Sequence, residues 1–273
     1  MSRVSRETAR GDAKAVAHLY AHSVAIYALA NQKGGVGKTT TAVSLAACLA
    51  EAGASTIIVD ADPQANATVA LGLAKDESPS LYDVLAGLPA VEALRETSIP
   101  GLRVLPAHAD LAAANVELPR TDGSDHLLRD ALAPLREEAQ FVFLDCPPSI
   151  GPLTLNALGA ADRVLVPVQA EYFALEGLGS LLETLALVQK QLNPQLSIEG
   201  LIITMFDPRT RLSHDVEAEV RKHFPSLVFE TVIPRNVRVS EAPSYGLPIT
   251  HYDARSSGSE AYFALAEELA ARA

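Results

Sequence analysis

The sequence predicts a single α/β domain, built on one doubly wound, mostly parallel sheet with helices on both of its faces. Apolar runs typical of strands alternate with longer stretches of helical periodicity over nearly the whole chain. The strand segments are mostly apolar, without a regular polar alternation, which is typical of parallel strands buried on both faces. The 273 residues are 48% hydrophobic, so the chain can bury a large core.

The predicted elements follow one another in chain order. Strands are expected over residues 24–30, 55–59, 102–105, 141–144, 163–168, 198–205 and 228–233. Helices are expected over residues 39–52, 125–139, 175–192 and 212–223, with a packed terminal helix over residues 259–273. Residues 23–273 form the predicted domain, and residues 1–22 precede it as a loose or short helical extension.

Composition excludes several functional classes. The chain carries 22 Lys and Arg against 33 Asp and Glu, a net charge of −11, so any contact with nucleic acid must come from a local basic patch. Cys48 and Cys146 are the only cysteines, which excludes a disulfide scaffold and suits a reducing cytoplasm. No apolar run reaches the roughly 18–20 residues that span a bilayer. We therefore expect a cytoplasmic protein without a membrane-spanning segment.

The strongest functional signal is the segment N-Q-K-G-G-V-G-K-T-T at residues 31–40, between the first predicted strand and the first predicted helix. Such a loop directs successive backbone N–H groups at phosphate oxygens, and the helix N-terminus adds partial positive charge. Lys38 is expected to reach the β- and γ-phosphates, and the Thr39 hydroxyl to ligate Mg²⁺. The remaining predicted nucleotide-binding residues of the loop are Lys33, Gly34, Gly35, Val36, Gly37 and Thr40.

The loop departs from the common pattern at its start, because Gln32 stands where a glycine is usual and Lys33 supplies a second lysine. This is the deviant Walker A form. With it, the chain from about residue 25 onward resembles the ParA/Soj chromosome- and plasmid-partition ATPases of the MinD-like P-loop class. The resemblance implies that Lys33 reaches the nucleotide of a partner subunit in an ATP-dependent sandwich dimer. From the residues alone, Lys33 could equally contact phosphate within its own subunit or remain solvated.

Two acidic segments follow predicted strands and complete the expected catalytic set. D-A-D-P-Q-A-N at residues 60–66 resembles the family's D-x-D-P-Q-x-N segment, although Ala65 replaces a frequent glycine. The resemblance makes Asp62 the hydrolytic carboxylate and places Asp60 near the Mg²⁺ shell. Residues 141–148 form an apolar strand that ends in Asp145, the Walker B pattern, so Asp145 is expected to hold a Mg²⁺-coordinated water.

Later segments resemble those that frame adenine and bind DNA in the family. Met205 and Pro234 are the expected apolar walls of the base site, and Asn236 lies in the same segment. Met205 could equally be an ordinary core methionine. Arg209 and Arg238 match positions that bind DNA without sequence preference, and arginine suits phosphate through paired donors. Each could also be a solvated or ion-paired surface residue.

The resemblance implies a DNA-segregation ATPase that uses ATP and Mg²⁺ and associates with the nucleoid. It would form an ATP-dependent homodimer, bind double-stranded DNA nonspecifically and respond to a ParB-like partner. A MinD-type membrane ATPase is the nearest rival, but its basic amphipathic terminal helix has no counterpart here, since residues 259–273 carry three Glu and one Arg. A metabolic ATP-dependent P-loop enzyme is the more distant alternative.

Overall fold

A seven-stranded sheet forms the centre of the part of the chain that the computed structural model describes, residues 24–120 and 123–272. The strands are β1 (Ala25–Leu29), β2 (Thr56–Asp60), β3 (Arg95–Glu96), β4 (Leu102–Leu105), β5 (Phe141–Asp145), β6 (Arg163–Gln169) and β7 (Ser197–Thr204). Their order across the sheet is β3-β4-β2-β5-β1-β6-β7. All neighbouring strands run parallel except β3 and β4, so the predicted fold class is confirmed.

Twelve α-helices occur in the described ranges. They are α1 (Lys38–Glu51), α2 (Asn66–Ala70), α3 (Leu81–Leu85), α4 (Leu111–Glu117), α5 (Leu127–Leu132), α6 (Leu135–Glu138), α7 (Pro152–Ala160), α8 (Ala174–Gln191), α9 (Arg211–His223), α10 (Val237–Glu241), α11 (Ile249–Tyr252) and α12 (Ser257–Arg272). Short 3₁₀ helices cover Ala90–Ala93, Leu118–Arg120, Ser124–His126 and Ala242–Tyr245. Each of the described helices is too short or too polar to cross a lipid bilayer.

The sheet buries apolar side chains on both faces, as the uninterrupted apolar strands predict. In β1, Ile26 and Ala28 belong to one core, whereas Tyr27 and Leu29 belong to the core on the opposite face. This alternation follows from the two-residue period of a strand. The second core includes buried residues of α1 and α12 and the ring of Phe143, which stacks on Tyr27 with ring centroids 5.5 Å apart.

Successive strands are added to the sheet first on one side of β1 and then on the other. This change of side positions the functional site. From β1 the chain moves to β2 and the β3–β4 edge, then returns through β5 to β6 and β7 on the other side. In sheets of this kind, ligands bind beyond the carboxyl ends of the strands at such a change of side. Residues 31–40 leave the carboxyl end of β1 at this point.

One predicted helix is wrong in detail, and one strand of the sheet has no counterpart among the predicted elements. The helix expected over residues 125–139 is divided into a 3₁₀ turn, α5 and α6, because Pro134 lies between the two α-helices. Proline lacks the N–H that a continuous helix requires. The edge strand β3, only two residues long, was not predicted.

The strand predicted over residues 228–233 is also wrong, since this segment forms an isolated bridge from Val228 to Leu201 and separate hydrogen bonds to β7 but no continuous ladder. The backbone N–H groups of Glu230 and Thr231 donate to the carboxylate of Glu268 on α12, at 2.8 and 2.9 Å. A strand ladder needs such donors at regular intervals, and here a side chain has taken them. The predicted extension over residues 1–22 lies outside the described residues.

Candidate nucleotide-binding site

The carboxyl ends of β1, β2 and β5 bring the predicted loop and both acidic segments together. Leu29, the last residue of β1, is in register with Asp145, and Asp145 is in register with Asp60 across the β2–β5 pair. Both carboxylates therefore lie at the strand ends from which the phosphate loop departs. The sequence predicted each segment, and the strand order explains why segments about 30 and 115 residues downstream of the loop meet it.

The phosphate loop is held in shape by hydrogen bonds to two other strands. The Asn31 side chain accepts a hydrogen bond from Lys33 N at 3.0 Å and donates to the carbonyl of Pro167 in β6 at 2.7 Å. The Thr204 hydroxyl of β7 donates to the carbonyl of Val36 at 2.9 Å. Gly37 has a φ of 90°, a left-handed conformation that favours glycine. Sequence reasoning missed the roles of Asn31 and Thr204, and only Asn31, within the motif, offered a local signal.

Lys38 is buried in the loop with its ammonium enclosed by backbone carbonyls. Its Nζ donates to the carbonyl oxygens of Asn31 at 3.1 Å and Lys33 at 3.3 Å. Burial lowers the pKa of Lys38, and the negative charge of Asp145 is the largest opposing influence. An ammonium has three donors, so one N–H remains for a phosphate oxygen. The predicted contact of Lys38 with the β- and γ-phosphates stays a prediction.

A cavity of about 320 Å³ opens beside the loop. Its lining includes most of the predicted nucleotide-binding and catalytic residues: Gly34, Gly35, Gly37, Lys38, Thr39, Thr40, Asp62 and Met205. The side chain of Val36 is buried in the protein, so this residue can offer only its backbone to a phosphate. A second cleft of about 570 Å³ shares Thr39 and Thr40 and extends between α1, α2 and the segment around α10.

Asp145 is the residue whose surroundings best fit a divalent cation. Within the described ranges, neither of its carboxylate oxygens has a partner of hydrogen-bond geometry, although both are fully buried. Burial raises the pKa of Asp145 well above its usual range, the neighbouring Asp60 raises it further, and the Thr39 hydroxyl lowers it. Oxygen ligands and retained waters are what Mg²⁺ prefers. Thr39 and Asp145 therefore fit a hydrated Mg²⁺ held together with nucleotide phosphates.

Asp60 differs from Asp145 because its carboxylate oxygens already accept hydrogen bonds. One oxygen accepts from the backbone N and hydroxyl of Thr68, both at 2.8 Å, and the other accepts from Asp62 N at 3.2 Å. Burial raises the pKa of Asp60 to about 6, against these hydrogen bonds. Asp60 thus anchors α2 to the sheet, and its predicted place in the Mg²⁺ shell stays a prediction.

Asp62 faces the cavity that Lys38 and Thr39 line. One of its oxygens accepts from Gln64 N at 2.9 Å, which fixes the carboxylate above the loop. Three residues on, Ala65 has a φ of 56°, the left-handed conformation that favours glycine. The frequent glycine of the family at this position is therefore explained by backbone geometry. The hydrolytic role of Asp62 stays a prediction.

The residues expected to frame adenine are only partly brought together. Met205 has a φ of 53° and lines the phosphate cavity, so it is not an ordinary core methionine. Pro234 forms a bridge with Phe206 beyond the end of β7. Asn236 caps α10 by accepting from Arg238 N at 2.8 Å, and its amide donates to Ser257 Oγ at 3.0 Å. Pro234 and Asn236 line neither the cavity nor the cleft, and their contact with the base stays a prediction.

Lys33 lies at the rim of the site rather than inside it. Its Nζ is 2.9 Å from Glu171 Oε2, and the side chain is 40% exposed. Glu171 also accepts a hydrogen bond from Gln169 Nε2 at 2.6 Å. Sequence reasoning missed Glu171 as a partner of Lys33, because 138 residues separate the two.

The two predicted DNA-binding arginines both have carboxylate partners within the chain. Arg209 donates twice to Asp207, from Nε at 2.9 Å and from Nη2 at 2.7 Å. Arg238 Nη1 donates to Glu241 at 3.0 Å. Both arginines nevertheless remain exposed, so their predicted contact with DNA stays a prediction.

Comparison with known proteins places this site in a family. A family model described as an AAA domain matches residues 24–198. The chromosome partitioning protein ParA of Myxococcus xanthus is 51% identical over 249 residues, covering 90% of this chain and 88% of the relative. The sporulation initiation inhibitor protein Soj of Bacillus subtilis is 51% identical over 248 residues, covering 90% and 98%. Among solved structures, cobyrinic acid a,c-diamide synthase from Mycobacterium smegmatis, with bound ATP analog and magnesium, superposes with a TM-score of 0.79 at 39% identity, covering 90% and 93%.

These similarities confirm the predicted family and the predicted ATPase class. The M. smegmatis protein holds an ATP analog and magnesium, which agrees with the cofactors expected from the phosphate loop. The deviant loop, the two acidic strand ends and relatives of about half identity over nine tenths of the chain lead to one conclusion. The chain belongs to the ParA/Soj family of P-loop partition ATPases.

Proposed function

We propose that the protein is the ATPase of a DNA-partition system. In this proposal two copies form a sandwich dimer when they bind ATP, the dimer binds double-stranded DNA without sequence preference, and a ParB-like protein stimulates hydrolysis. The protein would act in the cytoplasm on the nucleoid. The similarity to a relative named for chromosome partitioning supports DNA as the molecule that the system moves.

The observation that carries the proposal is the separation of the two loop lysines. Lys38 fills the interior of the loop, with its ammonium against the carbonyls of Asn31 and Lys33. Lys33 extends to the exposed rim, where Glu171 holds it. One lysine therefore serves the phosphates of its own subunit, and the other is available to a second molecule. Two facing nucleotides bring several negative charges together, so an added cation favours the dimer.

The chain's own residues account for hydrolysis in this proposal. Lys38 and the loop N–H groups hold and neutralise the phosphates. Thr39 and Asp145 would hold a hydrated Mg²⁺, whose positive charge would offset that of the phosphates. Asp62 would orient the attacking water from the cavity wall and accept its proton.

DNA binding is proposed to use Arg209 and Arg238. Because the chain is acidic overall, nonspecific affinity has to reside in a few exposed cations. A dimer doubles the number of arginines that can contact one DNA molecule. Because these arginines belong to a single particle, their contacts reinforce one another as avidity. Affinity would therefore depend on ATP, through dimer formation.

The experiment that tests the proposal is the ATPase rate with DNA and the cognate ParB-like protein, each alone and both together. We expect a low basal rate, little change with either addition alone, and a clear increase with both. Turnover that is already high without DNA and ParB would instead favour the metabolic alternative. That alternative has one specific support, the synthase name of the M. smegmatis structure.

The MinD-type alternative predicts a terminal helix that can bind lipid. In this chain Leu265 and Leu269 of α12 are buried against the sheet. The guanidinium of Arg272 lies 3.9 Å from the ring centroid of Phe229, and its Nη2 pairs with Glu268 at 2.7 Å. The apolar face of the helix and its basic residue thus both make contacts within the chain, and neither is presented to a lipid surface. Sedimentation with anionic liposomes separates the two functions, and we expect the protein to stay in the supernatant.

A further inference from the structure

Four exposed arginines between the end of β7 and the end of α10 share one feature, a carboxylate partner within the same chain. The pairs are Arg209–Asp207 at 2.7 Å, Arg238–Glu241 at 3.0 Å, Arg211–Asp215 at 3.5 Å and Arg235–Glu171 at 3.9 Å. The two shortest pairs belong to the two arginines that the family pattern assigns to DNA. The residues that should be most available to phosphate are therefore the most tightly held.

The Asp207–Arg209 pair uses the donors that a phosphate would need. Both oxygens of Asp207 accept from the guanidinium, and one of them also accepts from Arg209 N at 3.0 Å. This two-point arrangement is the one by which arginine binds carboxylate and phosphate alike. Asp207 is itself fixed, because its backbone N donates to Ser213 Oγ at 3.2 Å. The arginine side chain is 85% exposed and the aspartate only 16%, so the carboxylate lies beneath an exposed cation.

Arg238 is held in a similar way. Glu241 Oε2 accepts from Arg238 Nη1 at 3.0 Å and from the hydroxyl of Tyr252 at 3.1 Å. Asp253 Oδ2 lies 3.8 Å from Arg238 Nε and adds further negative charge. Tyr252 fixes the glutamate, so the carboxylate is a positioned partner rather than a freely moving one.

Both competing carboxylates are close in sequence to their arginines, two residues before Arg209 and three after Arg238. Each therefore moves with its arginine and stays beside it in any arrangement of the subunits. The hydrogen bonds from Arg209 lower the pKa of Asp207 to about 2, so this carboxylate is charged throughout the physiological range. A DNA phosphate thus meets an arginine whose charge is already paired and whose donors are partly engaged, two of them in Arg209 and one in Arg238.

We propose that Asp207 and Glu241 are internal competitors of DNA phosphate, which occupy the donors of Arg209 and Arg238 until a phosphate displaces them. This inference rests on the proposed nonspecific DNA binding and adds a control on its strength. The free energy needed to break each ion pair offsets part of the free energy gained from each phosphate contact. A single subunit therefore binds DNA weakly, and only a dimer that makes several contacts binds well. The two carboxylates would then increase the difference in DNA affinity between the ATP-bound dimer and the ATP-free protein.

Salt should expose this competition. Phosphate contacts weaken as salt rises, by about 0.9 in log–log slope for each contact. The intrachain pairs are screened by the same salt, which partly compensates in the native protein. Removing the competing carboxylates should therefore tighten binding most at low salt and make its salt dependence steeper.

The test uses Asp207→Asn, Glu241→Gln and the double variant. Each removes one negative charge and keeps an oxygen that can accept the local backbone or tyrosine hydrogen bond. Glu92→Gln is the matched control, because it makes the same charge change at an exposed site in the turn before β3, at the sheet edge opposite β7. Affinity for a random-sequence duplex is measured with Mg²⁺ and a non-hydrolysable ATP analogue between about 50 and 200 mM salt. Melting temperature and light scattering, run in parallel, verify the fold and the dimer.

We expect each single variant to bind about twofold to fivefold more tightly than the native protein at the low-salt end. The advantage should shrink as salt rises, and Glu92→Gln should match the native protein. If the native protein binds DNA and the folded Asp207 and Glu241 variants bind it no more tightly, the competition is overturned and the proposed function stays intact. An equal gain in affinity in Glu92→Gln has the same consequence. Binding by the double variant but not by the native protein supports the competition, whereas binding by neither overturns both proposals.

Discussion

The ammonium of Lys33 lies 2.9 Å from the carboxylate of Glu171, at the rim of the phosphate loop. The lysine expected to bridge two subunits is thus held by its own chain when no partner is present. Both side chains are about 40% exposed, and exposed ion pairs contribute at most about 1 kcal/mol. Such a pair can position Lys33 without preventing its transfer to a more strongly charged phosphate.

Lys33→Ala is expected to abolish ATP-dependent dimerisation, because no other loop lysine is free to reach a second nucleotide. Light scattering should show a monomer with ATP as well as with ADP. Lys222→Ala, which removes an exposed lysine of α9, is the matched control and should dimerise normally. A dimer of native size from Lys33→Ala would contradict the bridging role.

Glu171→Gln is expected to have the opposite effect, since it releases Lys33 from its intrachain partner. The ATP concentration that gives half-maximal dimer should fall by about twofold to fivefold, the range that corresponds to an exposed pair. Glu183→Gln, at an exposed position of α8, changes the charge equally and should leave this concentration unchanged. An unchanged or higher midpoint in Glu171→Gln would show that the pair does not restrain Lys33.

Asp62→Ala is expected to retain nucleotide binding and the dimer but to lose hydrolysis. The loop binds phosphate without Asp62, whereas loss of a general base or of water positioning typically costs about 100-fold or more in rate. Stimulated turnover with DNA and the ParB-like partner is the measurement, together with dimer formation on the same preparation. Native turnover in this variant would remove Asp62 from the mechanism.

Asp145→Asn is expected to separate stability from function. Among the described residues, none offers the buried carboxylate a hydrogen-bond donor of good geometry, so its charge destabilises the nucleotide-free protein. Unfolding without nucleotide should therefore require about 1 kcal/mol more than in the native protein. Binding of ATP should lose most of its dependence on Mg²⁺, which a titration with and without the metal would show. Lower stability of the apo variant would contradict this account.

Arg238→Glu is expected to abolish DNA binding while ATP-dependent dimers persist. About four phosphate contacts per native dimer predict a log–log salt slope near −3.6. Gel shift on random-sequence duplex at two salt concentrations measures both quantities. Arg129→Glu is the control, because Arg129 is likewise an exposed arginine paired with a carboxylate, Asp130. Retained affinity in Arg238→Glu would falsify the site, though not the partition function as a whole.

The sequence determined the family and the chemistry of the site because the signals are local. The loop at residues 31–40 contains its glycines, both lysines and Thr39 within one turn and the start of one helix. Apolar runs identified six of the seven described strands, and the acids that end β2 and β5 were recognised by their place after such runs. Local backbone geometry and side-chain chemistry are enough to specify features of this kind.

Only the tertiary structure decided which distant groups meet these local motifs. Glu171 reaches Lys33 across 138 residues, and Thr204 reaches Val36 across 168. The carboxylate of Glu268 takes the backbone donors of Glu230 and Thr231, and a segment with the apolar pattern of a strand therefore fails to form one. Asp60 and Asp145 are both acids at strand ends, yet only Asp60 receives hydrogen bonds from Thr68. Hydrogen bonds between distant segments depend on strand order and packing, and a one-dimensional pattern of residues contains neither.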